Sequence, residues 1–366
     1  MIDRLLRERN LPDVLTMNNG DPVTKDSWQE RKRELIDCLS KNLYGYTPPK
    51  PGYVRAVSTG TDNFYRFGGK ATAELIDIRF DTPGGEFSFP IRAITPNNAE
   101  KPPVILLISF GERAPVPVEE ILDNGFALVQ FHHHTVEHDD NRPADYFGSF
   151  RGGLGEKFFG GNPRAKTDCG KVGLWAYAAS RVMDYLQTRS DINVNRIAVA
   201  GHSRLGKTAL WCRAQDERFY IAMANDGNYG GAGLIRGHTG EDVADFIKYG
   251  SFDFFCEGWK DFLNVSHDSL PFDQHFLLAC QSPGLVYVAS ADNDRGMDPT
   301  SEFLSCCAAS PVYEMLGEKG FVHNGKLPQI GEALHGGNIG FHCRSGGHAF
   351  LREDWQKFMD FFKKHI

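Results

Sequence analysis

The sequence has no Cys-x-x-Cys pair. Its eight cysteines, Cys38, Cys169, Cys212, Cys256, Cys280, Cys306, Cys307 and Cys343, are scattered over 366 residues. That spacing argues against a zinc knuckle or a thioredoxin-type redox site. In so long a chain it does not read as a disulfide framework either, so mostly buried free thiols are expected. No stretch approaches the ~20 apolar residues of a membrane span. The opening MIDRLLRERN is charged and lacks the apolar core of a leader peptide. A water-soluble chain is expected, either cytoplasmic or, with a leader already removed, secreted or periplasmic. There is little surplus charge of either sign. The net charge is -7 and the pI is near 6.0, which gives no reason to expect nucleic acid or an anionic membrane as partner. Repeats, low-complexity tracts and linkers are also missing.

What is present is core-forming material. Hydrophobic residues make up 41% of the chain and charged residues 24%, with 27 phenylalanines. This suits a folded protein with a sizeable core. Residues 27–46, SWQERKRELIDCLSKNLYGY, have the helical spacing of Leu35, Ile36, Leu39 and Leu43, closed by Gly45 and a Pro-rich turn. Two strand-like runs, 70–80 and 86–96, flank DTPGG, a plausible hairpin turn. From about residue 103 the pattern changes. PVILLISF and FALVQF are continuous apolar runs, as expected of strands buried on both faces. A helix over 173–188, the strands RIAVA, YIAMAND and LVYVASA, and helices near 204, 300–316 and 353–365 complete an alternation. Strands alternating with helices imply a mostly parallel sheet covered on both faces. The reading is one α/β domain over 1–366. Residues 1–100 add a helix and antiparallel strands to a core at 101–366.

At 197–211, IAVAGHSRLGKTALW, an apolar run ends in a glycine, with a serine two residues later and a helix-like stretch beyond. Ser203 has two readings. It could be a helix N-cap. It could instead be a nucleophile held at a tight strand-to-helix elbow, for which the usual pattern is G-x-S-x-G. Here the second glycine, Gly206, comes one place late. Arg204 favours the second reading, because its N–H and guanidinium could face a developing oxyanion. Lys207 lies one turn further along and could face the same cleft. The base is expected late in the chain. His348, on a glycine-rich loop before the last helix, is the candidate, while His342 on a strand-like run is expected to be structural. The orienting acid has two candidate positions. ASADNDRGMDP supplies Asp292, Asp294 and Asp298, and YIAMAND ends in Asp226. Both positions lie at strand C-terminal ends, where open α/β sheets carry their chemistry. The cluster FHHHTVEHDD invites a metal reading through His132 and His134, but nothing completes a ligand set, so a polar loop near the site is expected. Trp259 and His275 are expected to pack and to anchor a loop.

GHSRLGK, NDGNYGGAGLIRGHTGE, LPFDQHFLLACQSPGLVYVASADND and SGGHAFLREDW together resemble the glucuronoyl esterases, carbohydrate esterase family 15, over roughly residues 100–366. The resemblance implies an α/β-hydrolase fold, a three-layer αβα sandwich. It implies a bacterial-type serine esterase that cleaves the ester between 4-O-methyl-glucuronic acid of xylan and lignin-type alcohols. By that resemblance Ser203 is the nucleophile, His348 the base and Arg204 the oxyanion arginine. Lys207 and Glu241 would hold sugar hydroxyls, and either Asp226 or Asp294 would be the acid. No cofactor or metal is implied; the partner would be a glucuronate ester of xylan or a lignin–carbohydrate complex, and a monomer is expected.

Three departures stand out. Gly296 stands where many members carry a sugar-stacking Trp. The tripeptide Ser282-Pro283-Gly284 replaces a common Ala-Pro-Arg. His202 and Ala349 stand where fungal members carry a linked cysteine pair. The rival readings are an acetylxylan esterase or general carboxylesterase of the same fold, and a catalytically silent carbohydrate-binding member. One further oxyanion donor is expected from the SFGE loop, 109–112.

Overall fold

The computed structural model describes residues 1–61, 67–111, 115–139, 150, 152–160, 164–248, 252–294 and 296–366. Ten strands among the described residues form one sheet. They are β1 (Val54–Thr61), β2 (Ala71–Phe80), β3 (Phe87–Pro96), β4 (Val104–Ser109), β5 (Ala127–His132), β6 (Ile197–His202), β7 (Ile221–Asn225), β8 (Leu285–Ala291), β9 (Ala333–Leu334) and β10 (Ile339–Arg344). Their order is β1-β2-β3-β5-β4-β6-β7-β8-β10-β9. The six adjacent strands β5, β4, β6, β7, β8 and β10 run parallel, as the apolar runs imply, and β9 pairs antiparallel with β10. The hairpin joining β2 to β3 pairs Phe80 with Phe87 around the DTPGG turn. β3 then pairs antiparallel with β5, so the N-terminal strands extend the same sheet.

The parallel strands are apolar throughout because both faces are covered. Along β4 the side chains alternate. Leu106 and Ile108 enter one core with Trp175, Val182, Trp211 and Phe303. Ile105 and Leu107 enter the other with Trp355, Phe358 and Phe362. Helices Lys171–Leu186, Arg204–Gln215 and Pro299–Leu316 cover the first face. Helix Arg352–Lys363 covers the second and buries Trp355, Phe358, Met359, Phe361 and Phe362. Each such side chain contributes about 1.5–3 kcal/mol when fully buried. The result is a three-layer α/β sandwich whose parallel strands all end at one edge. Among the described residues no helix is long and apolar enough to cross a membrane. All eight cysteines are free, and all but the half-buried Cys38 are buried.

Candidate active site

β6 ends at His202 and the next helix starts at Arg204, so Ser203 alone makes the turn. Its backbone has φ 57° and ψ −128°, a conformation that costs a non-glycine residue on the order of 1–3 kcal/mol. The neighbourhood holds it there. Ser203 N donates to Asn225 O at 2.8 Å, and Gly206 N donates to Ser203 O at 2.9 Å. A side chain at Gly201 would put its Cβ 2.1 Å from the Leu205 carbonyl oxygen. One at Gly206 would meet the carbonyl oxygens of Asn225 and Gly201, both at 3.2 Å. The late glycine therefore serves the close packing of helix on strand, while Leu205 is buried in the core. The Ser203 side chain makes no capping bond to the helix. Of the two readings, the geometry is that of an elbow. The first N–H groups of the helix have no partner within it, which leaves donors beside Ser203.

His348 lies across the strand ends. Its ring centroid is 4.4 Å from that of His202, the residue preceding Ser203. Nδ1 of His348 contacts Asp294 Oδ2 at 2.5 Å. Burial alone would raise the Asp294 pKa, but the bond and the charge of His348 outweigh it and hold the carboxyl below its usual value. Asp226 is arranged differently. It follows β7 with φ 46° and is fully buried. Its Oδ2 lies 3.4 Å from Arg344 Nη2 and 3.8 Å from His202 Nδ1. Burial pushes it up to about 7, against the opposing charges of Arg344 and His348. Of the two expected carboxylates, Asp294 is the one hydrogen-bonded to His348, and Asp226 faces Arg344. Asp292 accepts from Gly346 N at 2.8 Å and so supports the His348 loop. Asp298 caps helix Pro299–Leu316. His342 is fully buried between Asp354 and Tyr287, a structural role as expected.

The remaining expected residues flank the elbow. Arg204 forms an ion pair with Asp139, and its guanidinium lies over Phe254 at 4.8 Å and Phe110 at 5.6 Å. Asp139 is in turn contacted by His133 Nε2 at 3.3 Å, and His133 Nδ1 contacts the Ser109 carbonyl at 3.0 Å. Burial would raise Asp139, but His133 and Arg204 hold it below its usual value. Lys207 is buried, donates to Gly227 O at 3.2 Å, and faces Glu241 Oε2 at 3.8 Å. Burial pushes the lysine pKa down, with Glu241 opposing. Behind them Glu302, fully buried and bonded to Ser290 Oγ, is pushed well above the carboxylate range by burial and by Asp226.

The profile described as glucuronyl esterase of fungi matches residues 78–317. The chain belongs to the glucuronoyl esterase family. It is 28% identical to "Carbohydrate esterase MZ0003" of an unknown prokaryotic organism, over 97% of this chain and 89% of that one. It is 27% identical to a 4-O-methyl-glucuronoyl methylesterase of Schizophyllum commune, covering 89% of this chain and 77% of the relative. Among solved structures, a glucuronoyl esterase from Solibacter usitatus superposes with a TM-score of 0.86 at 32% identity, covering 96% and 97% of the two chains. A CE15 glucuronoyl esterase from Teredinibacter turnerae gives 0.87 at 26%, covering 97% and 89%.

This glucuronoyl esterase family member carries site features that sequence reading missed. Arg344, fully buried at the end of β10, donates to the carbonyls of Ser345, Gly347 and Ala349 and to both oxygens of Asp354. It knits together the loop that carries His348. Its only sequence signal was an arginine closing an apolar strand. Asp139 and His133 lay inside the histidine cluster expected to be a polar loop. There His134 Nε2 and His138 Nδ1 lie 3.3 Å apart, and Asp140 falls outside the described residues. Of the SFGE loop, Ser109 Oγ accepts from Gly111 N at 3.1 Å, and Glu112 falls outside the described residues. Gly296, the position of the missing aromatic, accepts from Glu241 N through its backbone carbonyl at 2.8 Å. His202 fills the position of the fungal cysteine with an imidazole bonded through Nδ1 to Asn225 Oδ1 at 2.6 Å. Trp259 is buried and stacked on Phe255, and His275 Nε2 contacts Pro12 O at 3.0 Å. Trp259 packs and His275 ties down a distant chain segment, as expected.

Proposed function

We propose that this chain is a serine esterase that hydrolyses the ester between glucuronic acid of xylan, with or without the 4-O-methyl group, and a lignin-type alcohol. The observation that carries the reading is an elbow serine at φ 57° whose chain neighbour His202 packs its ring 4.4 Å from that of His348, itself bonded to a carboxylate at 2.5 Å. The names of the curated relatives, 4-O-methyl-glucuronoyl methylesterase among them, support the substrate.

In the first half-reaction Ser203 Oγ attacks the ester carbonyl and His348 takes its proton. Asp294 keeps the imidazole oriented and stabilises the imidazolium. Negative charge gathers on the carbonyl oxygen beside Arg204 and the first N–H groups of the helix. Loss of one such donor typically raises the barrier by about 2.7–4 kcal/mol. His348 returns the proton to the departing alcohol, leaving a glucuronoyl-Ser203 ester. Water, deprotonated by His348, attacks that ester; the acid leaves and the proton returns to Ser203. Lys207 and Glu241 provide a cation and an acceptor for the uronate ring, and a small acetate ester has no use for either.

The test compares benzyl glucuronate with an acetate ester of a similar alcohol. Turnover of the glucuronate ester is expected in the parent and lost in Ser203→Ala. Lys207→Met is expected to raise KM for the glucuronate ester and to leave the acetate ester unchanged. Activity on acetate alone, or a Ser203→Ala variant that hydrolyses like the parent, refutes the proposal.

A further inference from the structure

One group of side chains beside the elbow has the make-up of a metal centre. Single ligand atoms of His202, Asp226 and His348 all lie within 4.8 Å of one another. We propose that these three residues form a binding site for a zinc-class divalent cation, and that the bound cation reversibly shuts off the esterase by occupying His348. The binding half of this inference is independent of the ester chemistry; the inhibitory half rests on the proposed function.

Four observations support the site. Each imidazole already has one nitrogen engaged by an oxygen. His348 Nδ1 contacts Asp294 at 2.5 Å and His202 Nδ1 contacts Asn225 Oδ1 at 2.6 Å. Such outer partners fix the tautomer and leave the other nitrogen with its lone pair, the arrangement that metal-ligating histidines keep. Asp226 is fully buried, yet its Oδ1 has no hydrogen-bond partner. An orphaned buried carboxylate oxygen is costly, and a cation satisfies it.

The charge balance points the same way. Arg344 faces two carboxylates, Asp226 and Asp354, and its one charge offsets only one of them. Arg204 is taken by Asp139 and Lys207 faces Glu241, while Asp294 has only His348. Carboxylates facing the site therefore outnumber the cations paired with them, which favours a cation there. The donor set decides which cation. Two imidazoles and one carboxylate suit zinc, whereas magnesium and calcium take oxygen. Zinc bonds of about 2.0–2.2 Å in tetrahedral geometry separate ligand atoms by about 3.4 Å, so the group must close by little more than about 1 Å. Phe110 and Phe350 flank the His202 ring at 6.1 and 6.2 Å and limit water around it. Binding displaces whatever proton Asp226 carries. With the lone pair of His348 bound to the metal, the Ser203 proton has no acceptor.

The experiment measures zinc binding to the full chain by equilibrium dialysis at pH 7.5, with magnesium as the comparison ion. Ester hydrolysis is followed in parallel, with and without zinc, and again after chelator. One saturable zinc per chain is expected, with turnover lost on binding and restored by chelator, and no effect of magnesium. His202→Gln is expected to bind zinc at least tenfold more weakly, and whatever turnover it has in zinc-free buffer is expected to persist at zinc concentrations that silence the parent. Cobalt on the parent chain is expected to give the intense visible band of a tetrahedral site, a readout that does not depend on any variant folding. The proposal fails if zinc does not bind saturably or if cobalt gives only a weak octahedral spectrum. It also fails if His202→Gln binds zinc as the parent does, for instance through the His134 and His138 pair. Zinc binding that depends on His202 in a parent without ester turnover would overturn the esterase reading and leave the metal site standing.

Discussion

Two carboxylates sit within reach of the site, and replacing each in turn separates their roles. Asp294→Asn removes a charge-assisted contact of 2.5 Å to His348. A hydrogen bond to a charged group contributes roughly 1.5–3 kcal/mol, and each 1.36 kcal/mol is tenfold in rate. Losing the bond alone therefore slows turnover about 10- to 150-fold. Losing control of the imidazole tautomer can extend the loss to about 10⁴-fold. Asp226→Asn leaves that contact in place and alters the 3.4 Å approach to Arg344 and the 3.8 Å approach to His202, so kcat is expected to fall less than about tenfold.

Stability moves differently. The folded protein raises the Asp226 carboxyl to about 7 by burial, above its value in the unfolded chain. The native state therefore holds an extra proton between about pH 4 and pH 7. Its contribution is fully present at low pH and is lost as pH rises through that window, by on the order of a few kcal/mol in all. Asparagine has no charge to bury, so the melting temperature of Asp226→Asn relative to the parent should climb from pH 5 to pH 8. Steady-state hydrolysis of benzyl glucuronate, with thermal melts across that range, checks both expectations. If Asp226→Asn loses turnover as Asp294→Asn was expected to, and Asp294→Asn stays active, the reasoning is wrong.

Arg344→Lys keeps the charge but loses the planar fork that reaches Asp354 and three loop carbonyls; it should cost about 3–5 kcal/mol in a urea melt and lower kcat more than it raises KM. Asp139→Asn unties Arg204 and should lower kcat about tenfold with the fold intact by circular dichroism; unchanged kcat would mean that Asp139 does not position the guanidinium.

Much of the fold was legible because burial on both faces writes itself as an unbroken apolar run. Val104–Ser109 and Leu285–Ala291 are such runs, and both are interior parallel strands. β1 was not foreseen. It lies at the sheet's outer edge with most of its residues exposed, so its sequence carries no alternation. The two-residue β9 is too short to leave a pattern. The elbow was legible from Gly201 and Ser203, since only small neighbours allow so tight a turn. The histidine and its carboxylate were narrowed to His348 and two aspartates by strand-end position, but the choice needed a distance. Asp139 acts through a partner 65 residues away in the chain, and Arg344, besides its nearby loop carbonyls and Asp354, reaches Asp226 118 residues away. No local spacing records such contacts.

The buried guanidinium at the end of β10 has a consequence for how the histidine is held. The strap that carries His348 is fastened by an arginine, whose hold no cellular reductant can undo. Four of the thiols are guarded as well: burial pushes Cys169, Cys280, Cys307 and Cys343 up to about 12, away from the reactive thiolate form. The fastening of that strap therefore does not depend on the redox state of its surroundings.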